Sequence, residues 1–460
     1  MQKKYFLLPI FIFCFYTSLH AQQVVGKASY FIGNQDYPCS GMAPIGNGEI
    51  ITFVDTKRLT RLNAKLQTVW ESEKLSSGRQ YFGNPFTVGE TVKTYFKDGK
   101  NNIYVQQIDF SGKVLAENKI YTPAGKNLSG IIGYKTAADG KSSMIYAFSG
   151  WRGEHVNYLY IHAATDSLTQ GSFEVEEEKA EIQSIILTQD KIWTIVNTDN
   201  QKKRFVPVLH RYDISKQTTT SQALDLPPGK YTVLLRSHEE RTYVLVYEDE
   251  EKTNKTANLF LYAFTDNPTT PLFKIRLPAD KTEKFNTPED IHFSDKGEIM
   301  VTTEPHYNSY HAGSTFVIAK NIYYYIYDKA GNFIKNGFIP KSQNQIAKGN
   351  TNGAGSGVLT GEGHAGISYQ GKVYFIFNQE GKISELKQLK IVTVDFTGKQ
   401  SKKLLVRQQP DAHFYLSKYL VHAYDDSIVI AGYTRALLVT GQAMYRISGG
   451  IGEPKSPAQP

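Results

Sequence analysis

Aromatic and β-branched residues alternate with polar ones in short runs along most of the chain, each run ending in a polar turn and returning as a second run. Residues 182–187 with 191–196, and 231–235 with 241–246, are clear cases. A period of two over such lengths predicts half-buried strands, and the intervening turns predict hairpins. No sustained helical period and no later run of the length needed for a membrane helix interrupts the pattern.

The hairpins recur. Their first strands end in Arg61-Leu62-Asn63, Gln107-Ile108-Asp109, Ala164-Thr165-Asp166, Arg211-Tyr212-Asp213, Phe264-Thr265-Asp266, Ile326-Tyr327-Asp328, Thr393-Val394-Asp395 and Arg446-Ile447-Ser448, with a mean spacing of 55 residues. Two further short strands precede most of them. Four strands per repeat of about fifty residues is the signature of a β-propeller blade. The expected fold is therefore all-β, a single propeller of four-stranded blades, eight by this count, with seven as the alternative. The first blade opens at Met42. The last has candidates for only three strands, at 419–424, 427–432 and 443–447, so the strand at 24–31 is expected to supply its missing outer strand and close the ring.

Three stretches carry a family resemblance: residues 59–63 running to Thr68-Val69-Trp70-Glu71, and the turns Asp109-Phe110-Ser111-Gly112-Lys113 and Asp395-Phe396-Thr397-Gly398-Lys399. They resemble the repeats of quinoprotein (PQQ-like) eight-bladed propellers. The resemblance implies the fold. Members of that family repeat a tryptophan from blade to blade, and the dehydrogenases carry adjacent cysteines. Here only Trp70 fits and no Cys-Cys pair exists, so no activity or cofactor follows.

The N-terminus has another character. Lys3 and Lys4 precede an apolar run at 5–16, followed by a polar stretch and Ala21. A basic start, a short apolar core and a small residue before the cut make residues 1–21 a secretory signal peptide. The expected divisions are that signal, a propeller over 22–451 and a flexible tail over 452–460, in a protein that is periplasmic, cell-surface or secreted. Without the signal, Cys39 is the remaining cysteine, so no internal disulfide is available.

Composition agrees with a large β-rich core. Of 460 residues, 40% are hydrophobic and 13% aromatic, with 30 Tyr and 25 Phe. Lys+Arg outnumber Asp+Glu by 52 to 44, a net charge of +8, but both signs are scattered, which argues against a nucleic-acid partner.

Candidate chemistry collects in the longer connections, which a propeller places together on one face: 33–40, 74–84, 150–157, 304–320 and 341–363. The last two flank one blade. Glu304, His306, Tyr307, Asn308, Tyr310 and His311 are thereby expected near His364, and a His/Glu metal set or His/Tyr proton abstraction from an acidic sugar are the catalytic readings. Trp151, Arg152, Glu154 and His155 form a second cluster suited to stacking on a sugar or a protein. The dinucleotide pattern at Gly361-Glu362-Gly363-His364-Ala365-Gly366 precedes a strand and opens no helix, and the phosphate-loop spacing at 366–372 ends in Val373 instead of Ser or Thr. No zinc-protease, nucleophile-elbow or calcium-hand motif is present. The expected function is a monomeric, noncatalytic binding module for a glycan or protein ligand, with no metal assigned and no cofactor identified. The alternative is a polysaccharide-acting, lyase-type enzyme on the same face.

Overall fold

The computed structural model describes residues 23–448 except 33–40, 123–132, 138–141, 150–154, 163–166, 176–179, 199–205, 249–257, 279–285, 312–313, 320, 342–344, 351–363, 380–387, 408–412, 425–426 and 437–438. The segments expected to be a signal, 1–21, and a tail, 452–460, lie outside the described residues, as does Cys39. Among those described there is no helix, and none is long and apolar enough to cross a membrane.

Strand β1 (Gln23–Ile32) is followed by eight groups of strands. The first sheet holds β2 (Met42–Gly46), β3 (Glu49–Asp55), β4 (Arg58–Leu62) and β5 (Thr68–Glu71). The second holds β6 (Gln80–Val88), β7 (Thr91–Lys97), β8 (Ile103–Asp109) and β9 (Val114–Tyr121). The third holds β10 (Gly133–Thr136), β11 (Ser142–Ser149), β12 (His155–His162) and β13 (Ser167–Glu174), and the fourth β14 (Ala180–Thr188), β15 (Lys191–Thr198), β16 (Val208–Asp213) and β17 (Thr218–Ala223). The fifth holds β18 (Tyr231–His238), β19 (Arg241–Glu248), β20 (Leu259–Phe264) and β21 (Phe273–Arg276). The sixth holds β22 (Asn286–Phe293), β23 (Ile299–His311), β24 (Ser314–Ala319), β25 (Ile322–Tyr327), β26 (Phe333–Ile339) and β27 (Gln345–Asn350). The seventh holds β28 (Ala365–Tyr369), β29 (Lys372–Gln379), β30 (Gln388–Asp395) and β31 (Gln400–Arg407). The eighth combines β32 (His413–Tyr424), β33 (Ser427–Ala436) and β34 (Val439–Ser448) with β1.

Seven of these sheets are four-stranded antiparallel blades, and the sixth has six strands. The first strand of each sheet packs on the first strand of the next, from β2 on β6 round to β28 on β32, and β1 meets β3 to complete the ring. The chain is a β-propeller. As the missing outer strand requires, β1 pairs with β34 from Gln23↔Ser448 to Ile32↔Thr440. One expectation needs correction: 304–320 and 341–363 are not simply loops, because β23 runs on to His311 and β24 and β27 lie within these segments. Pro305 explains the continuation. The ladder from β23 to β25 ends at Thr303, and with no N–H to donate at 305 the strand passes to another partner, β24.

Alternation gives every inner sheet two buried faces. Trp193 and Ile186 of the fourth sheet meet Leu235 and Val244 of the fifth, while Tyr243 and Leu245 on the opposite face meet Ile299 and Val301 of the sixth. The same local turn recurs after the third strands. Asp109 Oδ1 accepts the N–H groups of Ser111 and Lys113 at 2.8 and 2.9 Å, Asp328 those of Ala330 and Asn332 at 2.9 and 2.8 Å, and Asp395 those of Thr397 and Lys399 at 2.9 Å. Asn63 does the same for Lys65 and Gln67. The fourth residue of each turn is left-handed: Gly112, Gly331 and Gly398 have φ of 94°, 90° and 79°.

Aromatic side chains also cover glycines across strands. Tyr158 pairs with Gly171 and Tyr324 with Gly337, and a Cβ on either glycine would collide with the tyrosine hydroxyl. Gly337→Ala should therefore destabilise the protein by about 1–3 kcal/mol, read as a lower urea midpoint with an unchanged slope.

The turn carboxylates respond to acid. The Asn332 side-chain amide, followed by backbone N–H groups, holds the Asp328 carboxyl below its ordinary 3.8, and the Ser111 hydroxyl leads the same effect on Asp109. A depressed folded value favours the ionised form in the fold, so this stabilisation is complete above the ordinary carboxylate range and lost as pH falls through the depressed value. Asp328→Asn keeps an acceptor oxygen without a charge. It should fold at neutral pH and show a shallower loss of thermal midpoint between about pH 4 and pH 2 than the parent chain.

Candidate functional site

Tight turns such as 294–298 and 328–332 close one face of the ring, and the connections between sheets lie on the other. The extension rises from that connection face. His306↔Ala319 to His311↔Ser314 pair β23 with β24, and Thr315↔Asn350 to Ala319↔Gln345 pair β24 with β27, so a three-stranded antiparallel sheet continues out of the sixth sheet.

A buried ionic cluster lies at its root. Glu304 lies in β23 just past the end of its pairing with β25, Lys341 follows β26, and His364 precedes β28. His364 Nδ1 is 2.6 Å from Glu304 Oε1, and the Lys341 ammonium contacts the same oxygen. Their side chains are 0–1% exposed. Three connections, distant in sequence, are thus tied to one carboxylate. The ammonium groups of Lys341 and Lys390 lie 5.9 and 5.6 Å from the Phe377 ring centre, where the negative face of the ring favours cations. Phe375 packs against the rings of both His364 and His292. Gly366 is required beside them: a Cβ there would stand 2.5 Å from His292 Cε1.

Glu289, Glu304 and His364 each bring a ligand atom within 4.8 Å of the others, a spacing that suits a metal ion. The Lys341 ammonium already holds Glu304 Oε1, so a divalent ion would stand against a buried positive charge. His364 presents no open base either, because Nε2 is buried, with no hydrogen-bond partner among the described residues. The arrangement is suited to fixing the connections and poorly suited to receiving a substrate at these three side chains.

Sequence reasoning brought Glu304 and His364 together, and the structure does so. His306, Tyr307, Asn308, Tyr310 and His311 lie along the outer half of β23, with only their backbone described. His155 opens β12 opposite Glu174, half-buried, while Trp151, Arg152 and Glu154 lie outside the described residues. Lys341, Lys390 and Glu289 escaped the sequence. A lysine two residues past a strand carries no local mark of burial, whereas Glu304, an acid directly after Val301-Thr302-Thr303, was the available signal.

The tight-turn face has a cavity of about 750 Å³ over the fourth and fifth sheets. Its charges largely neutralise one another: Lys329 lies 2.8 Å from Glu239 and Lys191 lies 3.4 Å from Asp266.

No protein-family model and no curated protein matches the chain. Similar solved structures include a prolyl endopeptidase, at 12% identity and a TM-score of 0.41, covering 90% of this chain; this chain spans 55% of that one's length. The β-propeller domain of the Trilobed protease from Pyrococcus furiosus matches at 12% identity and a TM-score of 0.41, covering 81% of this chain and 94% of its own. Quinohemoprotein alcohol dehydrogenase from Comamonas testosteroni matches at 8% and 0.41, covering 96% and 78%. At this level the likenesses bear on none of the side-chain chemistry above, and the ring of sheets itself establishes the propeller.

Removing one member of the buried pair exposes the cost of the other. Glu304→Gln, which deprives the Lys341 ammonium of this counter-charge, should destabilise the protein by about 3–5 kcal/mol in urea unfolding. The double variant Glu304→Leu/Lys341→Met should recover most of that loss.

Proposed function

We propose that the protein is an exported, noncatalytic binding propeller that presents its connection face, and the β23–β24–β27 extension above all, to a glycan or protein ligand. The observation that carries this reading is the extension itself, three paired strands standing on an ionic cluster sealed from solvent. Binding requires a rigid base and an elaborated surface, and rigid scaffolds with elaborated connections are where recognition concentrates. His306, Tyr307, Asn308, Tyr310 and His311 supply side chains of the type that hydrogen-bond and stack on such ligands, with Trp151, Arg152, Glu154 and His155 as further members of the face, while His364 is held in the buried ionic cluster and contributes to the base alone. Export rests on Lys3, Lys4, the apolar run after them and Ala21.

The test is a panel of neutral and uronic-acid polysaccharides, with binding and unsaturated-product absorbance read on the same samples. The expected outcome is saturable binding without turnover, weakened at least tenfold when residues 306–319 are replaced by a short turn in a chain that keeps its thermal midpoint within a few degrees. Turnover abolished by His306→Ala would overturn the reading in favour of the enzyme. Equal binding by the parent and shortened chains would remove the extension from the site.

A further inference from the structure

The cavity of about 750 Å³ on the tight-turn face lies between two seams, and both are pinned. At the first, Arg211 Nε and Nη2 of the fourth sheet donate to Asp266 Oδ1 and Oδ2 of the fifth at 3.0 and 2.7 Å, and the Lys191 ammonium stands 3.4 Å from the same carboxylate. At the second, Arg241 Nη1 of the fifth sheet donates to the Lys329 carbonyl of the sixth at 2.6 Å, while the Lys329 ammonium reaches back to Glu239 at 2.8 Å. The walls are therefore fixed before any ligand arrives, which removes an ordering cost from binding.

The lining selects its ligand by elimination. Among the described residues Trp193 is its single apolar member. That ring is 1% exposed, with Nε1 given to Thr188 Oγ1 at 3.0 Å, so an apolar ligand finds no surface. Three cations, Lys191, Arg241 and Lys329, are matched by three acids, Glu239, Glu240 and Asp266. A charged ligand of either sign would meet like charge and disturb pairs already made. What remains is hydrogen-bonding capacity. The Asp266 side chain is 61% exposed, and the exposed Glu240 carboxylate has no hydrogen bond or ion pair among the described residues. Arg241 has N–H groups beyond the one given to Lys329, and Ser237 and Thr265 add hydroxyls. A ligand hydroxyl both donates and accepts, so it can bridge a carboxylate and a cation without changing the net charge.

We propose that this basin is a second recognition site, on the face opposite the connections, for a neutral, hydroxyl-rich ligand of di- or trisaccharide size. Its volume lies within the range of about 300–1,000 Å³ usual for small-molecule sites. The site uses no residue of the connection face and stands whether or not that face binds a ligand.

The experiment is saturation-transfer NMR on the full chain, with cellotriose, maltotriose and xylotriose as neutral probes and trigalacturonate as the acidic one. At least one neutral probe should bind saturably, with an affinity unchanged between about 50 and 500 mM potassium chloride, because no counter-charge is exchanged. The chain whose residues 306–319 are replaced by a short turn should bind it equally. Thr265→Trp, at an exposed position, should fill the basin and weaken binding by about tenfold or more. Gln189→Gly should weaken it about threefold with the thermal midpoint held, because glycine adopts the φ of 50° found there without strain. No binding of any neutral probe, equal binding by the parent and either variant, loss of binding in the shortened chain, or binding of trigalacturonate alone and only at low salt would overturn the site.

Discussion

Closure of the ring is the constraint on which this molecule depends. A sheet with two apolar faces is stable only between two others, and a linear row of such sheets would leave one face bare at each end. The chain meets this with β1, which crosses from the start of the sequence to complete the sheet begun by β32. Its partners in β34 are the last strand residues described, so the two ends of the row become one sheet. The interlocking side chains between sheets, Trp193 and Tyr243 among them, have partners only because the row returns on itself.

Within that ring, regularity and irregularity divide the work. The turns built on Asn63, Asp109, Asp328 and Asp395 use the same two side-chain hydrogen bonds and the same left-handed residue, which keeps one face low and uniform. The sixth sheet departs from the pattern. Pro305 releases β23 from its usual partner, and Glu304, directly before it, gathers Lys341 and His364 beneath the released strand. Local backbone chemistry and long-range electrostatics meet in two adjacent residues.

The fold was legible because its signals are local and repeated. Alternation in 182–187 or 241–246, and an Asp or Asn at the end of seven of the eight third strands, can be read from a few neighbouring residues, and their recurrence gives the blade. The extra strands were harder. Asn308, Ser309 and Gly349 belong to compositions that read as loop, and pairing between β24 and β27 joins segments some thirty residues apart. The candidate site was half legible. Glu304 and His364 could be brought together because two connections flank one sheet, but Lys341 and Lys390 are buried by tertiary packing against Phe377, which no short window contains.

The pairing of β1 with β34 also orders events in time. During synthesis β1 emerges ahead of every other described strand, and the partner it needs emerges more than four hundred residues later. At ribosomal speeds of about 5–20 residues per second, this alternating strand waits on the order of tens of seconds with both edges unpaired. Its neighbours can stack meanwhile, sheet upon sheet, but each such intermediate is an open arc with reactive edges. The ring is thus finished by the earliest of the described strands, and the interval before that happens is when the chain is most exposed to mispairing.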